Sequence, residues 1–212
     1  MTKTQLVFWD WNGTLLDDLD YAIGVRNRVF PAFGLPKIAN LDEYYAQFTF
    51  PVRLYYERAG VTDEQFDAVA HAWMAEYIRG MAAAPLRSDA LSTLTTLRER
   101  GLRQVILSAS SIPVLTEQLN HYALTPYFDT ILGLSHIYAT SKQAIGEAYL
   151  QECGIPPCAC TLIGDSLHDA DVARAMGTQC ILLTGGHQSR DTLLTAGVPV
   201  CTSLTEAAAL LG

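Results

Sequence analysis

The stretch Leu6-Val7-Phe8-Trp9-Asp10-Trp11-Asn12-Gly13-Thr14-Leu15, LVFWDWNGTL, decides how this chain is built. An apolar run ends in a carboxylate and crosses a turn-forming Asn-Gly pair into a threonine. A buried strand that stops this way displays its last side chain at the end of a sheet, where open α/β sheets bind their ligands. Further apolar runs at 104–107, Thr130–Leu134, 160–163 and 179–182 are short and lack clean alternation. That pattern marks parallel strands buried on both faces. Segments of helical length separate them, at 88–100, Ile112–His121, 141–153 and 168–176, with Gly101 and Gly177 placed as C-terminal glycines. Strands and helices in alternation give an α/β fold with a Rossmann-like parallel sheet.

Between the first strand and residue 104 the chain is far longer than one crossover helix requires. Its pattern is helical at 17–33, Leu41–Gln47, 52–59 and 63–81, with Gly34-Leu35-Pro36 and Gly60-Val61-Thr62 as punctuation. Phe66, Val69, Ala70, Trp73, Tyr77 and Met81 fall near helical spacing and suit the core of such a layer. Residues 1–15 and 86–212 are thus expected to form the catalytic core, and 16–85 an inserted α-helical cap over the active end of the sheet.

The 212 residues carry 14 Lys+Arg against 22 Asp+Glu, a formal net charge of −8. That balance argues against nucleic-acid or anionic-membrane partners, which want a basic face. No apolar run is long enough to span a bilayer, and no export signal precedes Leu6. The odd set Cys153, Cys158, Cys160, Cys180 and Cys201 suits reduced thiols, so a cytoplasmic protein is expected. The sequence does not set the oligomeric state.

Polar residues stand at the ends of the strands: Asp10, Ser108 in VILSASS, Lys142 in YATSKQAIGEAYL, and Asp165 with Asp169 in LIGDSLHDADVARAMG. Converging, they offer carboxylates for a hard divalent cation, a hydroxyl and backbone N–H groups for an anion, and a fixed positive charge. That set serves phosphoryl transfer to a carboxylate nucleophile. Asp17 and Asp18 suit the first turn of a helix, Asp171 a helix surface, and His187 in LLTGGHQS a loop. In FTFPVRLYY, Arg53 either clamps a second anionic group of the substrate or pairs with Glu57.

In order and spacing these motifs resemble the haloacid dehalogenase-like superfamily of hydrolases, in its helical-cap, phosphoglycolate phosphatase-like subgroup. Asp10-Trp11-Asn12-Gly13-Thr14 matches the first motif, Ser108 the second, Lys142 the third, and Gly164-Asp165 with Asp169 the fourth. The resemblance implies a phosphatase of a small phosphorylated metabolite, with Asp10 forming an aspartyl-phosphate. Ser108 and the N–H of Ala109 would hold the phosphate, and Lys142 would steady it. Mg²⁺ would be held by Asp10, the backbone carbonyl of Asn12, and Asp165, with Asp169 acting directly or through water. The dehalogenase branch is disfavoured, since its members resemble one another in a Tyr two residues after the nucleophile, where Asn12 stands, and need no metal.

Asn12 departs from the family, whose phosphatases usually carry there an Asp that protonates the leaving group. An amide loses that step, typically worth about 10²- to 10⁴-fold. Three accounts stand. The chain is a slow or specialised phosphatase with acid/base chemistry from elsewhere, His168 and His136 being the titratable candidates. It is a non-catalytic phosphometabolite-binding or regulatory protein. Or the Asn was introduced in place of an Asp.

Overall fold

A computed structural model describes residues 3–138 and 141–212. The chain runs β1 (Leu6–Trp9), α1 (Leu19–Val29), α2 (Leu41–Gln47), α3 (Val52–Arg58), α4 (Asp63–Gly80) and α5 (Ala90–Glu99). It continues with β2 (Arg103–Ser111), α6 (Ile112–His121), β3 (Thr130–Leu134), α7 (Gln143–Cys153), β4 (Cys160–Gly164) and α8 (Leu167–Met176). It ends with β5 (Gln179–Leu183), α9 (Arg190–Leu194), β6 (Val200–Cys201) and α10 (Leu204–Ala209). The strands form one parallel sheet in the order β3-β2-β1-β4-β5-β6, the Rossmann-like arrangement expected, with β1 at the centre.

Every residue of β1 is fully buried, because helices cover both faces of the sheet. Val7 and Trp9 point into a core with Leu94 and Leu97 of α5, Leu115 and Leu119 of α6, and Leu204 of α10. Leu6 and Phe8 point the other way, against Tyr149 and Leu150 of α7 and Val172, Ala173 and Met176 of α8. Each such large apolar side chain contributes about 1.5–3 kcal/mol when fully buried. Gly177 closes α8 in the left-handed conformation, φ 72°, as a helix C-terminus favours.

Helices α1–α4 build a separate core from Val25, Phe30, Tyr44, Tyr56, Phe66 and Tyr77, among others. The chain enters and leaves this helical segment side by side. Leu16 bridges Leu86, the Asp17 N–H donates to the Pro85 carbonyl at 2.8 Å, and the Arg87 N–H to the Leu15 carbonyl at 3.0 Å. Among the described residues, no helix is long and apolar enough to cross a membrane.

The structure departs from expectation in detail. β2 runs on to Ser111, past the end of its apolar run, and the two-residue β6 gave no readable run at all. The first helix begins at Leu19, because Asp17 and Asp18 are used in the crossing and the site. Lys142 is the residue before α7.

Both tryptophans of the opening stretch are buried, so their indole N–H groups need partners. Trp9 Nε1 donates to Gln104 Oε1 at 3.1 Å, and Gln104 Nε2 donates on to the Leu94 carbonyl at 3.0 Å. Trp11 Nε1 donates to Gln118 Oε1 at 2.9 Å. Gln104→Leu keeps the shape but strands two buried polar groups, and is expected to lower stability by about 2–4 kcal/mol in urea denaturation.

Candidate active site

Strand register assembles the site. Trp9 lies opposite Ile106 of β2 and Ile163 of β4, so Asp10, Ser108 and Asp165 emerge together just beyond these pairs. After Asp10 the chain turns back on itself, the Trp11 carbonyl accepting from the N–H groups of Thr14, Leu15 and Leu16. Gly13 makes this possible at φ +72°, and a Cβ there, or on Gly186, would run into the Asp165 carboxylate.

Lys142 is 1% exposed and reaches between two acids, its Nζ 2.5 Å from Asp10 Oδ1 and 2.7 Å from Asp169 Oδ1. Thr14 Oγ1 donates to Asp10 Oδ2 at 3.2 Å. Asp169 Oδ2 accepts from the N–H groups of Asp165 and Ser166 and from Ser166 Oγ at 2.6 Å. These bonds hold the turn that opens α8. Ser108 is buried, and with Ala109 it lines the cavity above Asp10.

Burial raises Asp10 to about 7, with Asp169 and Asp165 adding to the rise and Lys142 opposing it. Burial and Asp169 likewise raise Asp165 to about 6 against the pull of His187. For Asp169 burial also acts upward, but Lys142 and Ser166 outweigh it and hold the carboxyl low. Burial disfavours the Lys142 ammonium, yet Asp10 and Asp169 more than compensate and raise its pKa.

Ligand atoms of Asp10, Asp165 and Asp169 all lie within 4.8 Å of one another. Two of these carboxyls are pushed toward neutrality, first by burial and then by the neighbouring carboxylates. A cluster of buried oxygens in this condition fits a hard divalent cation such as Mg²⁺, whose charge would favour the ionised forms.

Asn12 is built into its surroundings. Its Nδ2 donates to Asp18 Oδ2 at 2.7 Å and contacts Tyr77 OH at 2.8 Å, and its Oδ1 accepts from Ser110 Oγ at 2.8 Å. Tyr77 OH also donates to Asp18 Oδ2, and the Gly13 N–H to Asp18 Oδ1. Asp18 is therefore a site residue as well as the residue that starts α1, and it is 1% exposed.

His187 corrects the sequence reading as well. It is buried, with Nε2 3.1 Å from Asp18 Oδ1 and Nδ1 2.8 Å from Tyr44 OH, and its N–H donates to Asp165 Oδ2 at 2.5 Å. Burial would lower its pKa, but Asp18 overrides this and raises it to about 9. The available signal was position: GGH follows β5 just as Asp165 follows β4. Tyr77 was hidden in an apolar stripe that accounts for its ring but not for its hydroxyl.

Arg53 does not reach the cavity. Half-exposed, it pairs with Asp63 and with Glu57 at 3.5 Å, and lies over the Phe66 ring. Of the two imidazoles weighed as substitutes for the missing acid, His168 lines the cavity, while His136 sits near Tyr138 outside it. Asp171 is an exposed partner of Arg174.

Residues 7–183 match the family described as haloacid dehalogenase-like hydrolase, and the chain belongs to it. It is 27% identical over 193 residues to a phosphoglycolate phosphatase of Synechococcus elongatus, covering 91% of this chain and 89% of the relative. It is 23% identical over 192 residues to phosphoglycolate phosphatase 1 of Pseudomonas aeruginosa, covering 86% and 70%. In fold it is similar to a haloacid dehalogenase-like family hydrolase from Streptococcus pneumoniae, with TM-score 0.87, 20% identity and full coverage of both chains.

Asn12→Asp would set a second carboxylate against Asp18. It is expected to lose about 2 kcal/mol at neutral pH by thermal or urea melting, and Asp18→Asn added to it should restore most of the loss. A raised His187 stabilises the fold fully below its unfolded pKa of 6.5 and loses that contribution as pH rises through about 9. In EDTA, the melting advantage of the natural chain over His187→Gln is expected to shrink across that window.

Proposed function

We propose that this hydrolase is a Mg²⁺-dependent phosphatase of a small phosphorylated metabolite, working through an aspartyl-phosphate on Asp10. The observation that carries the reading is the buried Lys142 ammonium bridging Asp10 and Asp169 beside a third carboxylate. Lys142 keeps Asp10 in contact with positive charge and offsets its repulsion from an incoming phosphate. Asp10 attacks phosphorus, and the ester oxygen leaves with its electron pair. Ser108 and the Ala109 N–H hold the phosphoryl oxygens, and water then returns Asp10 to a free carboxylate. Asp10, Asp165 and the Asn12 carbonyl would hold Mg²⁺, with Asp169 in support, and the ion would supply further charge neutralisation on the phosphate. Helices α1–α4 serve as the cap, residues 16–85, that keeps bulk water from this chemistry.

Both phosphoglycolate phosphatase relatives support the reaction class. Asn12 donates no ionisable proton, so alkyl phosphates are expected to be turned over slowly. The same residue favours a second reading, a non-catalytic phosphometabolite-binding protein, because its amide is fully engaged in structural hydrogen bonds. Acetyl phosphate separates the two, since its leaving group needs no proton. Mg²⁺-dependent phosphate release is expected, lost in EDTA, regained with Mg²⁺, and reduced to background by Asp10→Ala. Release no faster than in that variant leaves the binding protein.

A further inference from the structure

Above Asp10 opens a cavity of about 160 Å³, on the scale of the roughly 150 Å³ that admits benzene. Its walls are Phe48, Phe50, Tyr55, Phe66, Trp73 and Val114, drawn mainly from α3, α4 and the segment before them. Among the described residues, the cationic or titratable nitrogens that reach it are Lys142, His187 and His168. Lys142 is committed to Asp10 and Asp169, and His187 to Asp18 and Tyr44. His168 lies flat on Phe50, ring centroids 4.7 Å apart, with its Nε2 buried and unpartnered.

The nearby arginines do not line the cavity. Arg26 is buried against Phe30 and donates to the Pro36 carbonyl and Gln47. Arg53 turns out to Asp63 and Glu57, and Arg87 holds the Gly13 carbonyl with its NH2. Among the described residues no cation in these walls is free to balance a carboxylate or second phosphate on the leaving group, and burying such a charge unpaired is strongly unfavourable. An aromatic ring, in contrast, would find edges and faces at stacking distance.

Asn12 points independently to the same chemistry. A phenol ionises near pH 10, whereas an alkyl alcohol resembles bulk water at about 16. A leaving phenoxide therefore departs without the proton that Asn12 cannot give.

Resting on the phosphatase reading above, we infer that the site takes aryl phosphomonoesters, a phosphate on the phenolic oxygen of a small aromatic metabolite with no second anion against the walls. The Asp10 carboxylate forms the new bond to phosphorus. The bond from phosphorus to the phenolic oxygen breaks with its electron pair on that oxygen, which takes a proton from water. A second water cleaves the aspartyl-phosphate, giving inorganic phosphate and free Asp10.

The test compares phenyl phosphate, benzyl phosphate and 2-phosphoglycolate, with acetyl phosphate as the control for the underlying reading. Benzyl phosphate carries the ring on an alkyl-type leaving group and so separates wall from leaving-group effects. Phenyl phosphate is expected to exceed 2-phosphoglycolate by about 100-fold or more in kcat/KM, and benzyl phosphate to have the lower KM by about tenfold. Met74→Lys, which adds a cation to the wall, should narrow the phenyl phosphate to 2-phosphoglycolate ratio by about tenfold. A KM for 2-phosphoglycolate at or below that for benzyl phosphate overturns the inference. Calorimetry of the Mg²⁺-loaded protein with benzylphosphonate against phosphonoacetate reads the same preference without turnover. An inactive acetyl phosphate control beside tighter benzylphosphonate binding sinks the phosphatase reading but leaves the aromatic pocket. Equal or reversed affinities overturn the pocket itself.

Discussion

Lys142 is a lysine buried to 1% exposure at the start of a helix, a place where the helix dipole disfavours a cation. Burial alone would lower its pKa. It stays charged because Asp10 and Asp169 face it from two other elements, and those carboxylates would in turn be unfavourable without it. The same Asp169 closes the turn that presents Asp165, and Asp165 accepts the N–H of His187. His187 answers Asp18, and Asp18 holds Asn12. The ends of β1, β4 and β5 and the root of α1 are thus joined by one run of alternating donors and acceptors that starts at a single ammonium.

Within that run the amide of Asn12 is the right chemical complement. It must donate to Asp18 while accepting from Ser110, and a carboxylate does only the second. The carboxylate common in the family at this position is absent, and a different one, Asp18, lies beside it with a histidine for a partner.

The sheet was readable because buried parallel strands leave continuous apolar runs, and Leu6–Trp9 is buried on both faces. β6 was not, since two residues carry no pattern. Asp10, Ser108, Lys142, Asp165 and Asp169 were singled out by one rule, a polar residue just past a strand or opening the next helix, and the structure does bring them to one place. Asp18 and His187 escaped because their role lies in a contact across 169 residues of sequence, and each alone has an ordinary local explanation. For Arg53 the structure takes the local one of its two readings: the partner at i+4, with Asp63 besides, wins over a cavity it would have to enter.

The paired passage of the chain between sheet and helices has a mechanical consequence. With Leu16 bridged to Leu86 and Asp17 bonded to Pro85, the junction is a short ribbon rather than two loose tethers. Such a ribbon bends about one axis far more easily than it twists. Among the contacts opposing that bend are those where the helices meet the loop after β5: Asp18 and Tyr44 on His187, and Tyr45 OH on the Gly186 carbonyl at 3.2 Å. Lifting the helices would pull an acid and an imidazole apart at the floor of the pocket, so access and charge arrangement are coupled there.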